Sequence, residues 1–305
     1  MANLYTEASS NIRKTWLLMA GVFLVVIGLG WFFSYYFQNP SILVFFAVFA
    51  IVLQIVSYWY SDKIVLTLAG ARPASREEFF DLYTTVENLS ITAGLPMPKI
   101  YVVEDAAPNA FATGRDKDHA VVCATTGLLA LLDKTELEGV IAHELSHVGN
   151  RDMLVSTVVV VLVGFISIIS DVFMRSLLWG GMRRSDDREG NAGAIIMVIG
   201  IIFAILAPIA GTLMQLAISR KREYLADADG ALLTRYPEGL AHALAKIGAS
   251  AQPLRHQSSS IAHLYIADPT GGKKVPWMAK LFMTHPPIAD RIKALMGDRA
   301  STISQ

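Results

Sequence analysis

The sequence predicts a mainly α-helical integral membrane protein: an N-terminal transmembrane hairpin, then an α+β domain with a small sheet, interrupted by a second apolar helical pair. Three observations predict this class. Hydrophobic residues make up 53% of the 305-residue chain and charged residues only 17%, against roughly 25% charge in ordinary soluble domains. Four apolar runs are each long enough to cross a hydrocarbon core about 30 Å thick. Between and after them lie polar segments with helix-like and strand-like patterning. Basic and acidic residues balance at 26 each, which argues against nucleic acid as the main partner. The single cysteine, Cys123, excludes an intrachain disulfide and reads as a small core residue of a strand.

The first ten residues are polar and expected to fray. Arg13 and Lys14 precede an unbroken apolar run from Trp16 to Phe37. It is too long for a cleaved signal peptide and lacks a small-residue cleavage pattern. Gln38-Asn39-Pro40 breaks it, and a second run from Ser41 to Tyr60 follows at once. Spans joined by so short a turn form a hairpin, assigned to 1–62. Trp16, Trp31, Tyr35, Tyr36, Tyr58, Trp59 and Tyr60 cluster toward the run ends, where interfacial aromatics sit. Arg13 and Lys14 precede the hairpin, and Lys63, Arg72 and Arg76 follow it, while its turn has no Lys or Arg. The positive-inside rule therefore places both flanks in the cytoplasm.

The second domain is assigned to 63–305, with a membrane-associated pair at 153–218. A helix is expected from Ser75 to about Ala93, with Ser75 and Glu78 as a capping box. Lys99–Val103, Asn109–Gly114 and Ala120–Ala124 read as strands. Asp133 to Asn150 reads as an amphipathic helix, with Thr135 and Glu138 as its capping pair and Leu137, Ile141, Leu145 and Val148 as its apolar stripe. Apolar runs at Met153–Leu178 and Ala192–Ala217 follow, joined by an arginine-rich loop. Four arginines at that loop run against the positive-inside bias, so the pair is read as membrane-associated. Helices are expected over Arg220–Leu233, over Pro237–Ile247 and near Ile288–Met296.

His143-Glu144-Leu145-Ser146-His147 matches H-E-x-x-H. Residues four apart on a helix lie on one face, about 5–6 Å from each other. Both imidazoles can therefore reach one ion at about 2.0–2.1 Å. Glu144 sits one step round the helix, where its carboxylate can take a proton from the attacking water. The competing reading is a solvated helix face. A catalytic zinc site usually has three protein ligands. No histidine follows at the short metzincin spacing, because Asp152-Met153-Leu154 runs straight into an apolar segment. Glu223 and Asp227, four apart on a polar helix, are the best candidates for the remainder. One can bind zinc while the other orients a histidine through its ring N–H.

The hairpin, the His143–His147 motif, Glu223-Tyr224-Leu225-Ala226-Asp227 and the late His285-Pro286-Pro287 together resemble the HtpX-type membrane zinc endopeptidases, relatives of the CAAX prenyl endopeptidases. The resemblance runs from about Arg13 to Met296. It implies a zincin-like (gluzincin) domain holding one Zn2+, with Glu223 as third ligand and Asp227 in support. It implies Asn109, Ala110, Phe111, Ala112 and Thr113 as an edge strand that docks an extended polypeptide by main-chain hydrogen bonds. His285 would help to stabilise the oxyanion or, equally, cap the next helix. The implied role is quality control of misfolded or damaged membrane proteins, with the protein multi-pass in a bacterial inner membrane and its active site facing the cytoplasm. His119, His242, His256 and His263 read as structural or surface residues, and Arg222 as half of a surface ion pair. Rival readings are an intramembrane protease, a membrane scaffold with a structural metal, and a CAAX-type processing peptidase.

Overall fold

The structure is a computed structural model that describes residues 4–165, 220–250 and 286–302. Helix α1 (Leu4–Tyr36) and helix α2 (Pro40–Trp59) form the hairpin. Asn39 caps α2 by accepting a hydrogen bond from the Ser41 amide, and Pro40 occupies its first turn, where a missing N–H costs nothing. At about 1.5 Å per residue, the 20 residues of α2 match the thickness of a bilayer core. The helices meet closely at Gly30, where a Cβ would lie 2.4 Å from that of Phe46. Leu17, Leu24, Phe45 and Val48 point outward and are exposed, forming the lipid-facing side of the hairpin. The expectation of a frayed start is corrected. The chain is helical from Leu4, and just after those ten residues Asn11 and Thr15 are buried, with Asn11 bonded to Asn150 and Asp152.

Helix α3 (Ser61–Ala69) follows and stops at Gly70, whose φ of 65° closes the turn. Strand β1 (Ala71–Pro73) was not readable from the sequence. Three residues with a proline give no alternation, and proline fits only an edge. Helix α4 (Phe80–Ala93) starts later than expected. Ser75 Oγ does accept from the Glu78 amide, but the Glu78 carboxylate turns to Arg72 instead of closing a capping box. An isolated turn therefore forms at 76–78.

Strands β2 (Lys99–Val103), β3 (Ala110–Thr113) and β4 (Val121–Thr125) complete a four-stranded sheet in the order β1-β2-β4-β3. The pair β2/β4 is parallel, and β1 and β3 run antiparallel to their neighbours. The central strand β4 is buried along its whole length. Leu82 and Val86 of α4, with Leu137, Ile141 and Leu145 further along the chain, pack against Ile100, Val102 and Val122 on one side of the sheet. Val65 and Ala69 of α3 meet Val103, Phe111 and Cys123 in a second cluster.

A short helix α5 (Thr126–Leu131) leads into α6 (Lys134–Gly149). The capping box of α6 lies two residues before the expected one: Asp133 accepts from the Glu136 amide at 3.0 Å, and Glu136 accepts from the Asp133 amide at 2.9 Å. After Asn150 the chain bends by 83° into helix α7 (Asp152–Phe165). Arg151 makes the bend with φ at 56°, an uncommon conformation for a residue with a Cβ. Leu154, Val155, Val158 and Leu162 of α7 pack on Met19 of α1 and Leu53 of α2. The rest of the expected pair, 166–218, lies outside the described residues. Helices α8 (Arg220–Thr234), α9 (Pro237–Ala249) and α10 (Ile288–Met296) complete the described fold.

Candidate active site

Helix α6 carries the H-E-x-x-H motif through the protein core. Eleven of its residues, including His143 and Glu144, are buried. Glycines allow neighbouring helices to approach. A Cβ on Gly139 would come within 2.6 Å of the Leu240 backbone in α9. A Cβ on Gly230 of α8 would come within 3.0 Å of the His143 amide nitrogen. That tight crossing places the face of α8 bearing Glu223 and Asp227 over the histidine pair.

Ligand-type atoms of His143, His147 and Glu223 all lie within 4.8 Å of one another. The two Nε2 atoms are 3.2 Å apart. Glu223 Oε2 lies 3.7 Å from His143 Nε2, and Oε1 lies 3.6 Å from His147 Nε2. Bonds of about 2.1 Å to a tetrahedral ion set ligand atoms about 3.4 Å apart, so the triangle has the size of one tetrahedral face. The other ring nitrogen of each histidine faces a carboxylate. His143 Nδ1 is 2.9 Å from Asp227 Oδ1, and His147 Nδ1 is 3.1 Å from Asp152 Oδ2. With each Nδ1–H donated to its carboxylate, deprotonation at Nε2 turns both lone pairs to the centre, the tautomer a metal needs. The donor set fits a metal ion.

Arg291 of α10 holds Asp227 through both its oxygens, at 2.8 and 2.6 Å. Its side chain is fully buried, and Nη1 has no partner among the described residues. Burial alone would raise the Asp227 pKa, but the hydrogen bonds from Arg291 and His143 outweigh it and lower the group to about 2. Burial would lower the His147 pKa, but the Asp152 hydrogen bond and the charges of Glu223, Asp152 and Glu144 raise it to about 9. Cys123 is buried in β4, and burial with the Glu144 charge pushes its thiol up. It is inert as a nucleophile, as a core cysteine should be.

Sequence reasoning missed three residues around the triad. Asp152 was noted only where the chain runs into the next apolar segment. Asn11, just past the polar first ten residues, was given no role. Arg291 was passed over, although it is a cation at helical spacing among Ile288, Ile292 and Leu295, an anomaly on an apolar stripe. Arg222 is corrected from surface to interior. It is buried, with Nη1 3.2 Å from Asp152 Oδ1, because α8 presses that face onto the start of α7. His119 bonds Asp116 and Arg115 at an exposed site, and His242 is exposed. His256, His263 and His285 lie outside the described residues.

Strand β3 lies at the sheet edge, and no strand pairs with its other side among the described residues. Its four side chains are buried. The preceding Asn109 is tied to β4 through its amide, which donates to Thr125 Oγ1 at 2.9 Å.

The hairpin, the buried motif helix and the converging His, His and Glu define a membrane-anchored metallopeptidase. Residues 76–299 match the model of peptidase family M48, and the chain belongs to that family. It is 47% identical over 294 residues to a protease HtpX homolog of Caldanaerobacter subterraneus subsp. tengcongensis, covering 96% of this chain and 97% of that one. The protease HtpX homolog of Tropheryma whipplei (strain Twist) is 49% identical over 292 residues, with 96% and 97% covered. That of Streptococcus gordonii is 42% identical over 296 residues, with 96% and 99% covered. The crystal structure of S. mikatae Ste24p is a distant structural neighbour, with TM-score 0.49 and 19% identity over 96% of this chain and 66% of that chain.

Proposed function

We propose that this metalloendopeptidase uses one zinc ion held by His143, His147 and Glu223 to cut misfolded or damaged membrane proteins at the cytoplasmic face of a bacterial inner membrane. The observation that carries the reading is the convergence of the two imidazoles and the Glu223 carboxylate, from helices far apart in sequence, within 4.8 Å. Two nitrogens and a carboxylate oxygen favour zinc over magnesium or calcium. The basic residues flanking the hairpin support the orientation. The names of the relatives are consistent with the quality-control role. In this reading residues 1–62 are the anchor and 63–305 the peptidase domain, with 153–218 returning to the membrane.

When bound, the ion supplies Lewis acidity, polarising the scissile carbonyl and making water acidic enough to attack near neutral pH. The protein does the rest. The edge strand at Asn109–Thr113 aligns an extended substrate by main-chain hydrogen bonds. Its side chains are buried, so docking there reads little side-chain identity and suits a broad substrate range. Glu144 accepts the proton from the attacking water at its carboxylate and returns it to the departing amine. His285 enters this reading from the family resemblance, as a donor to the developing oxyanion or as the cap of the next helix. Asp227 and Asp152 fix the imidazole rings so that little reorganisation precedes the reaction.

The test is metal content and cleavage of an unfolded membrane protein by the purified full chain, beside Glu144→Gln and Glu223→Ala. Wild type should hold one zinc per chain and cleave. Glu144→Gln should keep the zinc and lose cleavage, and Glu223→Ala should lose both. Zinc-loaded Glu144→Gln cleaving at the wild-type rate would refute the mechanism.

A further inference from the structure

Asn11 lies at the polar start of α1, ahead of Arg13 and Lys14, where a simple tether would leave it in water. It is instead fully buried, and its Nδ2 donates to Asp152 Oδ1 at 2.7 Å and to the Asn150 carbonyl at 2.9 Å. Its own Oδ1 is buried with no partner among the described residues, a cost that leucine would not carry. Both contacts fall on the bend between α6 and α7. The Asn150 carbonyl belongs to the end of the motif helix, where carbonyls lack helical partners. The Asp152 carboxylate is the group that faces His147 Nδ1. Its oxygens are thus held from three directions: by His147 of α6, by Arg222 of α8 at 3.2 Å and by Asn11 of α1.

We propose that Asn11 is a positioning residue of the metal site, acting through Asp152 on His147, so that the N-terminal transmembrane helix is a component of the active site and not only a tether. A carboxylate behind a metal-bound histidine must itself be held, because its freedom becomes freedom of the ring. Arg222 alone leaves Asp152 able to pivot about one contact. The second donor on the same oxygen, anchored by a helix that also packs on α7 through Met19, removes that freedom. The inference rests on the zinc site proposed above.

Zinc affinity of the full chain in detergent, measured by competition with a chelator, tests it. Asn11→Ala should weaken zinc binding about 10-fold, the low end for loss of support to a ligand. Asn11→Asp, which sets like charges together, should weaken it more. In the Asp152→Asn background, Asn11→Ala should have little further effect, because the two act as one unit. The visible spectrum of the cobalt-substituted protein should shift in Asn11→Ala. Gln54→Leu serves as control, since it removes a hairpin hydrogen bond to the Met19 carbonyl away from the site. It should leave affinity and spectrum unchanged. An Asn11→Ala protein that binds zinc within twofold of wild type would overturn the proposal. So would a loss equal to that in Gln54→Leu, or one that persists undiminished beside Asp152→Asn. Should Asn11→Ala fail to fold, the Asn11→Asp comparison decides on the same criteria. If wild type itself binds no zinc, the zinc reading falls first and this one with it; if wild type binds and the Asn11 variants match it, only this one falls.

Discussion

The two histidines of the site are supported by different parts of the molecule. His143 is backed by Asp227 on α8 and, behind that, by Arg291 on α10, all within the peptidase domain. His147 is backed by Asp152 at the root of α7, which packs on the hairpin, and Asp152 takes a donor from α1. The first support is a bidentate, fully buried ion pair. The second is assembled from single contacts on three helices. One imidazole is thus fixed by the peptidase fold alone, the other by the fold together with its membrane anchor. The difference teaches that the active site depends on the docking of the hairpin.

The largest expected effect spares both supports. Glu144→Gln should lower kcat about 10²–10⁴-fold with metal content and thermal stability near wild type. That result separates proton transfer from the positioning of either histidine. A loss of metal in this variant would show that the carboxylate belongs to the supports after all.

Next come the cations behind the two carboxylates. Arg291→Met leaves Asp227 buried without its counter-ion and should destabilise the protein by about 3–5 kcal/mol, read from chemical unfolding. Arg222→Met should cost less, because Asn11 still donates to Asp152. A reversed order would break the comparison. Smaller still, Asp227→Asn and Asp152→Asn should each weaken zinc binding about 10–100-fold. Only the Asp152→Asn loss should depend on an intact α1. If deleting the Asn11 contact weakens zinc equally beside Asp227→Asn and beside Asp152→Asn, the two supports are not separate.

The sequence showed one of these supports better than the other, for a physical reason. His143, Glu144 and His147 lie on one helix, so their relation is fixed by a period of 3.6 residues and readable without a structure. Glu223 and Asp227 share a face on α8 for the same reason. Local rules likewise found β2, β4, α9 and α10. Asp152 and Asn11 stand 141 residues apart, and nothing local marks either as a partner. β1 was invisible for a similar reason, since three residues become a strand only when β2 is beside them. Arg222 was misplaced because its charge suggests solvent, and only the packing of α8 on α7 shows otherwise.

A dependence on pH separates the two supports by sign. The Asp227 pKa is lowered from 3.8 to about 2 in the folded protein. Its support is present above about pH 4 and is lost as pH falls through about 2. The His147 pKa is raised from 6.5 to about 9 in the metal-free folded protein. That support is full below about pH 6.5 and is lost as pH rises through about 9. The metal-free chain should therefore show a melting temperature that falls between about pH 6.5 and pH 9. In Asp152→Asn the alkaline fall should shrink, because the hydrogen bond that raises the pKa is weakened. Zinc binds neutral imidazole, so saturating zinc should remove the alkaline fall and leave the acid one, up to the pH at which the ion itself is released. A metal-free protein whose melting temperature stays flat over that alkaline window would show that His147 is neutral in the folded state, because neither state then gives up a proton there. The charges of Asp152 and Glu223 would then not outweigh burial, and the contrast between the two halves of the site would lose its electrostatic basis.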